Sequence, residues 1–249
     1  MKQLSEVSYM RCFAVVMIVL WHCYFCPVIC WPVIDKSLIN PFYVKATLAM
    51  GQFAFPDCMM PLFTFLSGYL FYYLFTYKKK YGEFKAFFIN KLNRLLIPFF
   101  ILASIISLTS PDRHIEQVYW GEGSALWYSA MLFWCFLIAW LPLVKGFKYL
   151  NYILAVLSLS FCLYSVSVWT TPFEMPLGID NAFFYLHYFI LGEYACKHRD
   201  KIFEIITQKH LVLLLLVYLV SCGLVFIKTP IITHSRIVVQ SYIFLLITL

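Results

Sequence analysis

Eight runs of apolar residues, each near the length of a bilayer crossing, alternate along the chain with short segments rich in charge or in proline and glycine. They fall at about residues 12–30, 58–77, 95–109, 126–144, 149–169, 182–196, 211–227 and 237–249, and they predict eight transmembrane helices. Several run nearer about 15 residues than 20, so they are expected to borrow a turn from the interface or to pack inside the bundle. Apolar runs recur to the last residue, which predicts that the first is a retained helix and not a cleaved leader. No internal repeat or low-complexity linker breaks the series.

Composition agrees with the pattern. Of 249 residues, 63% are hydrophobic and 12% charged, more apolar side chain than a soluble domain of this length buries. The expectation is an all-α, polytopic transmembrane helix bundle forming a single domain over residues 1–249. The net charge of +7 does not point to nucleic acid, because the basic residues are scattered between apolar runs instead of forming a stripe. They report topology. With the N-terminus in the cytoplasm, fourteen of the nineteen Lys and Arg residues fall in inside segments and five outside. This orientation suits a multi-pass protein of the cytoplasmic (inner) membrane. Segments 27–57, 110–125 and 170–181 are then external, and their prolines suit irregular loops. Cys23, Cys26 and Cys30 begin with a Cys-x-x-Cys spacing, but no second pair follows. The nine cysteines read as small buried hydrophobes, and no metal site is predicted.

The first run reads SYMRCFAVVMIVLWHCYF from Ser8 to Phe25. Arg11 and His22 are eleven residues apart, which on a helix is three turns plus about 20°, so both project from one face. The rise is roughly 16 Å, about half of a hydrocarbon core. With Arg11 at the cytoplasmic surface, His22 lies near mid-membrane, a depth that demands the bundle interior or a water-filled cavity. Taken singly, Arg11 also reads as a snorkelling topology anchor and His22 as a structural histidine bonded to a neighbouring helix.

The arginine, ten intervening residues and the histidine of that helix resemble the first motif of the integral-membrane acyltransferases of the acyltransferase 3 type, which modify surface glycans. Four further stretches resemble the family in order and spacing: MPLFTFLSGYLF at Met60–Phe71, NKLNRLLIPFF at Asn90–Phe100, ALWYSAMLF at Ala125–Phe133 and FFYLHYFILGEY at Phe183–Tyr194. The resemblance spans nearly the whole chain. It implies transfer of an acyl group, usually acetyl, from cytoplasmic acyl-CoA to a hydroxyl of an extracytoplasmic glycan or glycolipid, with acetyl-CoA as a donor substrate and no permanently bound cofactor. Two departures stand out. Met59 occupies the place where part of the family has a histidine, and the family's later helices, with a segment containing serine, tyrosine and histidine, would lie beyond Leu249. This leaves open that the chain is truncated or an inactive relative.

In that chemistry the acceptor hydroxyl is a poor nucleophile until its proton is removed, and a neutral imidazole can take it in the transition state. His22 is the expected base. Cationic groups suit the polyanionic donor, guanidinium above all, so Arg11, Lys91 and Arg94 are the expected donor-binding residues, with Arg11 expected also as a catalytic residue that stabilises charge near the thioester. Lys91 and Arg94 sit one turn apart just before a predicted helix, where they also suit snorkelling or anionic lipid. Ser67 and Gly68 read equally as a close helix contact or as substrate contacts. Trp127 and Tyr128 read as an external aromatic belt or as part of the acceptor site. His187 reads as a packing or bundle-bonding histidine, Asp180 and Asn181 as N-caps, and Glu193 as too near the cytoplasmic end to orient His22. A different class also fits: a transporter or flippase of a lipid-linked glycan with Arg11 and His22 along its path.

Overall fold

The structure is a computed structural model and describes residues 5–20, 42, 59–109, 126–168, 175–205, 208–223, 242–243 and 245–246. Among the described residues there is no strand, and the order of helices is α1 (Ser5–Leu20), α2 (Met59–Thr76), α3 (Phe84–Thr109), α4 (Trp127–Lys145), α5 (Lys148–Val168), α6 (Ile179–Lys197), α7 (Arg199–Ile205) and α8 (Gln208–Gly223). α2, α3 and α4 are each long and apolar enough to cross a membrane; Val7–Leu20 of α1 and Tyr149–Ser165 of α5 are apolar but shorter. The expectation of an all-α membrane bundle is met. Of the expected last span, the four described residues are helical.

α1 begins at Ser5, several residues before the expected start of the first span, and the short α7 matches no expected span; two further differences have a local cause. The helix expected at 95–109 begins at Phe84, because the polar residues that interrupt its apolar run do not interrupt a helix. Phe84–Lys91 continues through a π-helical turn, Leu92–Leu96, into Ile97–Thr109. Pro98 explains the turn: it lacks the N–H that would bond to residue 94, and its ring crowds that carbonyl. The ladder widens just before it, with the Ile97 N–H reaching back five residues to the Leu92 carbonyl. Asp180 and Asn181 are not N-caps. α6 starts from Gly178, left-handed like the preceding Leu177, with no side-chain cap, and Asp180 is buried in the first turn.

Packing divides the chain into two units, residues 1–66 with 201–249, and residues 67–200. In the first, α1 buries Val7 and Ala14 and exposes Tyr9, Phe13, Val15, Val16, Val19 and Leu20; α8 exposes Val212, Leu213, Leu215, Leu216 and Val217. Apolar faces turned outward are what a lipid solvent requires.

In the second unit α6 packs along α5 and across α4. Gly146 ends α4 with a φ of 68°, and the N–H groups of Gly146 and Phe147 both reach the Pro142 carbonyl. Only a residue without Cβ takes this conformation cheaply, so α5 starts two residues later. Phe71 of α2 is the centre of the core, its ring lying 5.3 Å from Phe136, 5.7 Å from Phe87, 5.8 Å from Phe189 and 6.0 Å from Tyr81. In a membrane, lipid tails are as apolar as these rings, so close packing and hydrogen bonds, more than water exclusion, hold such helices together.

Candidate functional site

The small pair in α2 is a contact between backbones. Gly68 is buried, and a Cβ placed on it would fall on the Phe189 carbonyl oxygen, with the carbonyl carbon at 2.8 Å and Cα at 3.1 Å. Of the two readings of Ser67 and Gly68, the geometry realises close approach at Gly68. Ser67 beside it is half-buried. Phe71, one turn on, then meets Phe189 and Phe136, so a single glycine sets how deeply α2 seats against α6.

The second group surrounds the turn between α2 and α3. Lys79 and Tyr81 both have positive φ, 52° and 75°, a strained arrangement for residues with side chains. Tyr81 is held by burial between Phe71 and Phe87 and by its carbonyl, which accepts a 2.9 Å bond from Trp140 Nε1. Into this cluster projects Lys91. Its Nζ lies 3.2 Å from the centroid of Phe136, 5.1 Å from Tyr81, 5.8 Å from Phe71 and 6.0 Å from Phe87. Lys91 was expected at the surface beside Arg94; instead it is enclosed by rings, 9% exposed, while Arg94 is exposed. The π turn accounts for the split. Three residues of regular helix turn about 300° and would stack the two side chains, whereas the wider winding swings Arg94 away from the cage. Lys80 and Arg94 still each lie within electrostatic reach of Lys91. The Tyr81 phenol is pushed above its ordinary range by burial, and Arg94 partly pulls it back. The result is a basic cluster with one guanidinium open to an anion.

The third group runs through α4, α5 and α6. Trp127 and Tyr128 are half-buried, and Trp127 packs on Tyr185 at 5.8 Å; Tyr185 leads to Tyr188 at 6.2 Å, and Tyr188 to His187 at 4.0 Å. Trp127 is thus built into the bundle. Ser158 of α5 inserts its hydroxyl into one rung of α6, accepting from the His187 N–H at 2.8 Å and donating to the Phe183 carbonyl at 2.6 Å. His187 Nδ1 lies 3.0 Å from the same hydroxyl. Because the single hydroxyl proton goes to Phe183, the serine does not donate to Nδ1 and is not activated by the imidazole. This pair fastens two helices and is no nucleophile–base dyad, in keeping with the structural reading of His187.

Arg11 is exposed on α1, yet it stands four residues after Val7 and three before Ala14, the two buried residues among those described on the helix. It therefore belongs to the packed stripe, not to the apolar outward face. His22, Cys23, Cys26 and Cys30 fall outside the described residues; Met59 is described and buried. Among the described residues, no group of three His, Cys, Asp or Glu side chains gathers in a way that would hold a metal.

Sequence reasoning passed over Asn151 and Ser158 and set Glu193 aside. A signal was present: Asn151, Ser158 and Ser165 recur every seven residues on a mostly apolar helix, a polar stripe on one face, and Ser158 and Ser165 are buried.

The family model described as an acyltransferase domain matches residues 4–249. No curated protein matches the chain, and no solved structure does.

Proposed function

Since the chain belongs to this acyltransferase family and is a membrane-embedded O-acyltransferase, we propose that it moves an acetyl group from acetyl-CoA, held at the cytoplasmic face, to a hydroxyl of an extracytoplasmic glycan or glycolipid. The observation that carries the reading is Arg11, exposed on the packed stripe of α1 and eleven residues ahead of His22, in a chain whose whole length fits an acyl-transferring family. The distribution of basic residues supports a multi-pass arrangement in the cell's inner membrane with the N-terminus in the cytoplasm.

In this reading His22 takes the acceptor's proton as the hydroxyl oxygen attacks the thioester carbonyl. The C–O bond forms, the C–S bond breaks, and the imidazole returns the proton to the departing thiolate. Atoms and charge balance without a further reactant. Arg11 and Arg94 bind the donor's phosphates, for which planar two-point bonding suits a guanidinium. Lys91, behind its ring cage, holds the Tyr81 turn and adds positive potential. Ser67, Trp127 and Tyr128 line or support the acceptor's approach. The family assignment weighs against the transporter reading, because a carrier consumes no thioester. The test is release of free thiol from acetyl-CoA by the purified protein with a glycan acceptor. The reading requires release, and its loss in His22→Ala with insertion intact; undiminished turnover in that variant would sink it.

A further inference from the structure

Glu193 of α6 is a carboxylic side chain buried in the helix bundle, 3% exposed. Its Oε2 accepts a bond of 3.3 Å from Nδ2 of Asn151 on α5. Two oxygens of that bonded pair are left over: Oε1 of Glu193 and Oδ1 of Asn151 are both buried and, among the described residues, have no hydrogen-bond partner. Both are acceptors. An ionised carboxylate has nothing to donate, and an amide oxygen has nothing to donate, so in the charged state neither can satisfy the other. No Lys, Arg or His side chain among the described residues pairs with the carboxyl. The titratable groups within its electrostatic reach are Tyr72 of α2 and Cys196, one turn along α6, with Tyr69 bonded to Cys196; the cation of this neighbourhood, Arg199, acts on Cys196, and among the described residues no charged group acts on the Glu193 carboxyl itself. One added hydrogen removes both deficits at once.

We propose that Glu193 and Asn151 form a proton-binding site inside the bundle, in which Oε1 of Glu193 carries a proton and donates it to Oδ1 of Asn151, closing a two-point acid–amide ring between α6 and α5. A buried acid inside a membrane bundle is expensive when charged and marks a function when retained; here the amide partner fits the neutral acid as a lock on its proton. The site is separate from the Ser158–His187 staple, six residues up α6, and the inference does not rest on the donor and acceptor proposed above.

The test is infrared spectroscopy of the full-length protein in lipid nanodiscs near neutral pH. Wild type shows the carbonyl stretch of an undissociated acid, shifted on labelling with 13C-glutamate and again in D2O, and Glu193→Gln lacks it. Glutamine can make the same two bonds without a proton, so Glu193→Gln melts with wild type, while Glu193→Ala melts lower. Isotope labelling needs no variant and keeps the test open if Glu193→Gln misfolds. A glutamate spectrum containing carboxylate bands alone overturns the proposal. So does a melting temperature that sodium or potassium chloride raises over choline chloride in wild type and not in Glu193→Gln, which assigns the two oxygens to a metal cation.

Discussion

Substituting Gly68 by alanine probes the contact that seats α2. The added methyl would lie on the Phe189 carbonyl oxygen and 2.8 Å from its carbon, against an optimal separation of about 3.5–4.0 Å. The obstacle is helix backbone, which cannot rotate aside as a side chain would. α2 must therefore retreat by on the order of 1 Å to regain that separation, and Phe71, one turn away, leaves its ring contacts with Phe136 and Phe189 at 5.3 and 5.8 Å. Overpacking of this kind costs about 1–3 kcal/mol, and a void left beneath Phe71 adds roughly 24 cal/mol per Å³. A total of about 2–3 kcal/mol corresponds to a melting point lower by roughly 5–10 °C for a chain of this size. Thermal unfolding of the detergent-solubilised protein reads it. Gly82→Ala is the control, since a Cβ there meets nothing within 4 Å, and it should melt with wild type. If Gly68→Ala also melted with wild type, the inference that backbone contact sets the depth of α2 would be wrong.

Other substitutions separate structure from chemistry. Ser158→Ala removes the hydroxyl bridging the His187 N–H and Phe183 carbonyl, and should destabilise by about 1–2 kcal/mol with the KM for acetyl-CoA unchanged; a lower thiol-release rate at full folding would instead place Ser158 in the chemistry. Arg94→Ala, at an exposed position, should leave the melting point alone and raise the KM for acetyl-CoA roughly tenfold, equivalent to about 1.4 kcal/mol, and an unchanged KM would remove Arg94 from the donor site. Trp140→Phe deletes the 2.9 Å bond to the Tyr81 carbonyl while keeping most of the ring packing, with an expected loss of about 1 kcal/mol seen as a lower melting point. Arg11→Lys keeps the charge but not the planar fork, so thiol release should fall at low acetyl-CoA and recover at high concentration, as checked by a full saturation curve.

The apolar runs, the uneven spread of basic residues between them and the order of five short motifs are properties of the chain alone. They were enough for an all-α membrane bundle and for its family, because run length against bilayer thickness and charge against topology are local physics. The motif that carries the proposed chemistry was also visible there, since eleven residues on a helix return to one face whatever surrounds it. Which partners the inward faces meet was not. Gly68 is a small residue in any reading until the Phe189 carbonyl stands against it. Lys91 and Arg94 look equivalent until the π turn before Pro98 sends one into rings and leaves the other open. Asn151 and Glu193 lie 42 residues apart, and only the seating of α5 against α6 turns an isolated amide and an isolated acid into a pair short of one hydrogen. Periodicity decides which way a side chain points; the neighbouring helix decides what it finds there.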